Sequence, residues 1–213
     1  ELTKFFAKTE KCRYCSQCRY KHLIMPVLFR MIYMCGLRVS EARLLKVGDV
    51  DIENGILTIQ HSKNDNSRLV PMSNDLSQRC RQYSERVHPF QVPGNYYFPG
   101  LDGKPMTVGN VYKNFHRFLW RAGLLHGGRG YGPRVHDFRH TYAVHRLKRW
   151  VEQEMDLIVY LPVLRTYMGH DFFGETAYYL HLTADVYPNI TLKLETLYPE
   201  IIPELEGGAD ETY

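Results

Sequence analysis

Six residues of this chain carry side chains suited to handling a phosphodiester: Arg38, Lys63, His136, Arg139, His170 and Tyr179. They fall in short runs: Gly36-Leu37-Arg38-Val39-Ser40-Glu41, Ser62-Lys63, His136-Asp137-Phe138-Arg139-His140-Thr141 and Gly169-His170, with Tyr179 nine residues after His170. Guanidinium groups can hold non-bridging oxygens, a phenol can attack phosphorus, and imidazole and ammonium groups can move protons, all without a metal. Taken singly, each has an ordinary explanation. His136 and Arg139, three apart on a helix, share a face that can reach one ligand, but such a face is more often simply solvated. Arg38 and Glu41, one turn apart, make a local ion pair worth about 0.3–0.5 kcal/mol when exposed. A lysine at a hairpin tip, a histidine after a glycine and one tyrosine among sixteen carry little weight alone. Their conjunction, in order and at these intervals, is what points to phosphoryl transfer.

These residues need elements to place them. Residues 1–20 are polar and basic and read as an edge or linker. Residues 21–35 are strongly apolar and read as a buried helix, ended by Gly36, whose missing Cβ suits a left-handed cap. Ser40 is the candidate N-cap of the next helix. Asp51 to Gln60 alternates apolar and polar around Asn54-Gly55, which predicts short strands joined by a type I′ turn. Ser67-Arg68-Leu69-Val70-Pro71 predicts a third strand, with Lys63 to Asn66 at the hairpin tip. Beyond Pro71 the pattern is helical: Ser73 or Asn74 caps a helix to about Val87, and Thr107 caps one ending at Gly123. A loop at Gly127–Pro133 leads into a long helix after His136. Leu161–Met168, a helix holding Tyr179 and a last helix from Pro188 follow. The fold class expected is α+β, mainly α-helical, with a small three-stranded antiparallel sheet in the N-terminal third.

Composition sets outer limits. The chain has 213 residues, of which 44% are hydrophobic and 23% charged, so it can bury one good core. The net charge of +4 mildly favours an anionic partner. Basic residues interleave with aromatics from Lys113 to Arg121 and from Arg146 to Trp150, whereas the tail is acidic. That distribution suits one basic face for nucleic acid. No apolar run approaches the ~20 residues a membrane span needs, so no membrane partner is expected. Five cysteines, an odd count, argue against a secreted disulfide framework and suggest the cytosol.

In register, the motifs resemble the catalytic domain of the tyrosine recombinases, the phage-integrase family, and the resemblance covers roughly residues 24 to 185. Arg38 and Glu41 match its G-L-R-x-S-E arginine motif, and Lys63 its hairpin lysine. His136, Arg139, His140 and Thr141 match H-x-x-R-H-T, and His170 with Tyr179 match the G-H box and the nucleophile that follows it. The flavour is that of bacterial mobile-element integrases. The resemblance implies a bacterial, cytoplasmic, nucleoid-associated enzyme that cuts and rejoins double-stranded DNA through a 3′-phosphotyrosine. It implies a catalytic domain over 21–186 and no cofactor. It also implies a segment at 187–213 exchanged between protomers of a homotetramer. The family's N-terminal core-binding domain is not in the sequence, and the chain does not start with Met, so a catalytic-domain fragment is expected. A type IB topoisomerase and a non-catalytic DNA-binding protein on the same fold are the alternatives.

The chemistry expected of these residues distributes as follows. Arg38 and Arg139 hold the scissile phosphate and offset charge in the pentavalent state. His136 accepts the phenolic proton, Lys63 protonates the departing 5′-oxygen, and His170 donates to a non-bridging oxygen. Glu41 and His140 support this set from behind. Tyr178 adjoins Tyr179; the two point about 100° apart on a helix, so only one suits a fixed phosphate. Lys113, Arg117, Arg121, Arg129 and Arg134 are the candidate DNA contacts. Cys12, Cys15 and Cys18, with His22, invite a zinc reading, but structural zinc usually gathers ligands from two separated segments, which favours free thiols. No metal site is expected.

Overall fold

The computed structural model describes residues 1–60, 67–124, 132–170, 176, 178–180 and 182–183. Chain contacts divide it into two units. The first is Glu1–Tyr142 with Tyr167–Gly169; the second is Ala143–Thr166 with the described residues from His170 on.

The first unit begins with α1 (Leu2–Glu10), which the composition of residues 1–20 does not suggest. Its Phe5 is 2% exposed and meets Phe138 at 5.2 Å, Phe29 at 5.4 Å and Phe115 at 5.4 Å between ring centroids. Each buried Phe contributes roughly 1.5–3 kcal/mol, so this stretch is part of the core and not a linker. The polar residues around Phe5 and Phe6 mask two apolar positions that fill a hole between other helices.

The apolar segment forms α2 (Lys21–Cys35), capped by Gly36 in the left-handed region at φ 59°. A Cβ on Gly36 would lie 2.6 Å from Tyr142 Cδ1, so both backbone and space require glycine there. α3 (Val39–Leu44) follows, and its cap residue is Arg38, not Ser40. The Arg38 amide donates to Glu41 Oε2 at 2.8 Å, so the carboxylate three residues on does the capping that the hydroxyl was expected to do.

β1 (Val50–Asp51), β2 (Ile56–Ile59) and β3 (Arg68–Pro71) form an antiparallel sheet in that order. Asp51 pairs with Ile56, which leaves four residues in the connection. Only Gly55 of the Asn54-Gly55 pair has positive φ, so the turn is not type I′. The Asp51 carboxylate instead accepts from the Asn54 backbone and side chain, at 3.0 and 2.7 Å.

α4 (Asn74–Val87) and α5 (Val108–Arg121) start where their caps predict: Ser73 and Thr107 accept from Leu76 N and Asn110 N. α4 packs on α2, and α5 on α1. α6 (Asp137–Glu152) begins one residue after His136, and Phe138 pins its first turn to the aromatic core. α7 (Leu157–Met168) starts a turn earlier than Leu161, with Pro162 inside it. Within the second unit, Leu147, Val151, Leu157, Leu161 and Leu164 are buried, and Trp150 lies 5.2 Å from Tyr160. Among the described residues, no helix is long and apolar enough to cross a membrane.

Candidate functional site

Arg38 and Arg139 stand far apart in sequence, yet both approach Glu41. Arg38 Nη1 is 3.2 Å from Oε1 and Arg139 Nη1 is 3.9 Å from Oε2. Gly36 ends α2 and aims the chain so that Arg38 caps α3, while Phe138, buried in the core, turns Arg139 of the first turn of α6 toward the same carboxylate. The Glu41 side chain is 1% exposed. The surface ion pair expected from spacing is therefore a buried one. Burial by itself would raise the Glu41 pKa, but hydrogen bonds from Arg68, the charges of Arg68 and Arg139 and the Arg38 amide hold it below the ordinary range.

Arg68 is the member of this cluster that motif reading missed. It lies on β3, and its Nη1 and Nη2 donate to Glu41 Oε1 and Oε2 at 2.8 and 2.9 Å. The signal was present in strand parity. Arg68 shares a face with buried Val70, while Leu69 between them is 64% exposed. An arginine on the inward face of a short strand needs a buried acceptor.

The three arginines also bind three successive carbonyls. Arg68 Nε donates to Tyr167 O at 2.8 Å, Arg139 Nη2 to Met168 O, and Arg38 Nη2 to Gly169 O at 3.0 Å. These carbonyls close α7, where a helix has no internal donors left and its dipole is negative. Arg139 Nη1 adds a bond to Gly36 O at 2.7 Å, and its side chain is 1% exposed. Gly169, at φ +64°, cannot carry a side chain: a Cβ would meet Arg68 Nη1 at 2.9 Å.

His136 precedes α6 instead of sitting on it, and its ring lies 4.5 Å from that of His140. Burial, then the positive charges of His140 and Arg139, push its pKa down to about 4. It is a neutral imidazole at pH 7, the form that accepts a proton.

In the second unit His170 is 8% exposed and shares a hydrogen bond with Thr176 Oγ1 at 2.9 Å. Its ring stacks on Tyr179, with centroids 5.7 Å apart and planes at 15°. Tyr179 is 3% exposed, whereas Tyr178 is 48% exposed and points elsewhere. The histidine and tyrosine matched to the G-H box are thus neighbours.

On α5, Lys113, Arg117 and Arg121 are all exposed, at four-residue spacing, beside Trp120 at 79% exposure. Lys21 at the start of α2 belongs with them: burial, then the Arg117 charge, lowers its pKa. Arg134 is exposed and pairs with Asp137 at 3.4 Å. Lys63, Arg129 and the segment 187–213 lie outside the described residues. Cys12, Cys15 and Cys18 are free thiols. Among the described residues, no group of three or more His, Cys, Asp or Glu side chains gathers to hold a metal.

The sequence model of the phage integrase family matches residues 1–185. A putative integrase/recombinase, y4rB, of Sinorhizobium fredii is 35% identical over 187 residues, which are 86% of this chain and 59% of the relative. Tyrosine recombinase XerC of Chlamydia caviae is 31% identical over 159 residues, 73% of this chain and 46% of that one. The chain thus spans about half the length of the curated relatives it matches. In structure it is similar to XerH site-specific recombinase in a post-cleavage complex with a palindromic difH substrate, at a TM-score of 0.67 and 22% identity, covering 93% of this chain and 51% of that one. That likeness carries the α+β fold with its small three-stranded sheet.

Proposed function

The chain belongs to the phage integrase family, and on that premise we propose that it is the catalytic part of a site-specific tyrosine recombinase acting on double-stranded DNA. The observation that carries the reading is the approach of Arg38 and Arg139 to one buried carboxylate. A pair of guanidiniums so arranged suits one phosphate between two strand segments better than two unrelated surface contacts.

The reaction assigned to it is strand exchange. Tyr179 Oη attacks phosphorus while His136, neutral at pH 7, takes the phenolic proton. A phenol has a reference pKa of about 10 and needs that help. Arg38 and Arg139 offset the charge that builds on the non-bridging oxygens, and His170 donates to one of them. Lys63 gives a proton to the departing 5′-oxygen. The product is a 3′-phosphotyrosine with a free 5′-hydroxyl. That ester keeps the bond energy, so the hydroxyl of a partner strand reverses the step without ATP. Lys113, Arg117 and Arg121, with Arg129 and Arg134, supply phosphate contacts that position DNA without reading its sequence. Within the segment 187–213, residues 187–205 carry an apolar stripe suited to docking on a second protomer in a homotetramer.

The test is incubation with supercoiled plasmid in chelator and without ATP, quenched in detergent, then peptide mapping of any DNA-linked residue. Relaxed plasmid with an adduct on Tyr179 supports the reading. Salt-sensitive binding with no adduct, repeated in a longer chain that includes the remainder of the relatives' length, overturns it.

A further inference from the structure

Glu41 poses a problem for any phosphate clamp built from Arg38 and Arg139. A buried carboxylate beside two guanidiniums competes with the phosphate for their charge and their N–H groups. Arg68 changes that balance. Its two-pronged bond spans both carboxylate oxygens at 2.8 and 2.9 Å, while Arg38 keeps one longer contact at 3.2 Å and Arg139 stands at 3.9 Å. Among the described residues of the cluster, three guanidinium charges against one carboxylate leave a surplus of two positive charges. A phosphodiester carries one negative charge and approaches two in the pentavalent state, so the surplus matches the transition state better than the ground state.

We infer that Arg68 is a positioning residue for the phosphate clamp: it holds the Glu41 carboxylate to itself and so keeps the charge of Arg38 and Arg139 available to a phosphate. The inference rests on the reading of Arg38 and Arg139 as that clamp. Two further features fit it. Arg68 Nε is spent on Tyr167 O at 2.8 Å, which fixes the plane of its fork, and both of its Nη atoms are spent on the Glu41 carboxylate. Gly169 lies so close to the fork that any Cβ there would meet it at 2.9 Å. Lysine cannot substitute, because an ammonium is a point charge that does not bridge two oxygens in one plane.

The experiment follows two readouts on the whole chain: affinity for inorganic phosphate by calorimetry, and single-turnover cleavage of nicked duplex DNA. Arg68→Lys and Arg68→Met are each compared with the wild type, and Arg68→Met is combined with Glu41→Gln. Arg68→Met should weaken phosphate binding and slow cleavage by up to about a hundredfold while duplex affinity stays within about threefold. Arg68→Lys, which keeps the charge and guards against misfolding, should show the same loss in milder form. Glu41→Gln should restore much of the phosphate affinity in the Arg68→Met background, because the competing charge is gone. A residue that merely braces the fold lowers the melting temperature, leaves phosphate affinity unchanged and gains nothing from Glu41→Gln; that result overturns the inference, as does a wild type that binds no phosphate. A wild type that binds phosphate with the expected variant pattern but never cleaves DNA sinks the recombinase reading and leaves the role of Arg68 standing.

Discussion

The rings of His136 and His140 lie edge to face, 4.5 Å apart, at the start of α6. Burial disfavours the charged form of His136, and a protonated His140 ring at that distance adds to the effect, so the His136 pKa is pushed down to about 4. In the unfolded chain it titrates near 6.5. Between those values the unfolded chain holds the proton and the folded chain does not. Stability is therefore full above about pH 6.5 and falls as the pH drops toward 4, by at most roughly 3 kcal/mol. His88 and His145, also lowered by burial, act in the same direction. Urea denaturation at pH 7.5, 6 and 5 should show this fall, and His136→Gln should flatten it. An equal slope in the variant would remove His136 as its source.

Gly36 supports a second prediction. Alanine there is strained at φ +59° and drives its Cβ to 2.6 Å from Tyr142 Cδ1 and 3.0 Å from Met168 Sδ. Strain of about 1–2 kcal/mol and overpacking of about 1–3 kcal/mol combine to a loss of roughly 2–5 kcal/mol. Gly103, at φ +75° with nothing near its Cβ, is the control, since only the strain applies. Equal losses at the two positions would mean that the Tyr142 contact relaxes at no cost.

What was legible in the sequence was local. Ser73 and Thr107 announce α4 and α5 because a side chain caps an amide three residues away. The Gly36 cap and the three strands are read within ten residues of chain. Asn54-Gly55 misled because its turn also depends on the Asp51 carboxylate. Phe5 was hidden for a different reason: its partners Phe29, Phe115 and Phe138 are brought to it only by the fold. Arg68 shows the same limit at the site. Its acceptor is 27 positions away, on another element, and nothing in the spacing of either residue names the other.

A third prediction concerns Glu41. An exposed pair would be worth little, but this side chain is 1% exposed and faces three guanidiniums. Glu41→Ala removes the carboxylate that those charges share and leaves them crowded together, at a cost of roughly 3–5 kcal/mol. Glu41→Gln keeps the shape and one acceptor oxygen, with an NH2 in place of the other, and should cost less. Chemical denaturation of both variants measures the difference; an alanine variant within about 1 kcal/mol of wild type would mean the cluster is solvated in solution.

Tyr178 and Tyr179 give a fourth. Tyr179 is enclosed and stacked on His170, whereas Tyr178 is 48% exposed. Tyr179→Phe should abolish the covalent DNA adduct while DNA affinity is kept, since only the phenolic oxygen is removed. Tyr178→Phe should leave the adduct yield within about twofold of wild type. The reverse pattern would move the nucleophile to Tyr178.

Lys63 offers a prediction that separates proton donation from phosphate binding. If its ammonium protonates the departing 5′-oxygen, Lys63→Ala slows cleavage by leaving a poor alkoxide to depart unaided, by about 10²–10⁴-fold. Sulfur in place of that bridging oxygen leaves as a stable thiolate and needs no acid. The variant should therefore cleave the sulfur-substituted strand at close to the wild-type rate, while Arg38→Ala, which removes charge stabilisation, should stay slow on both substrates. Equal defects of Lys63→Ala on oxygen and sulfur would mean that the lysine binds the phosphate or the groove, and the acid would then have to be sought among the other titratable groups of the site.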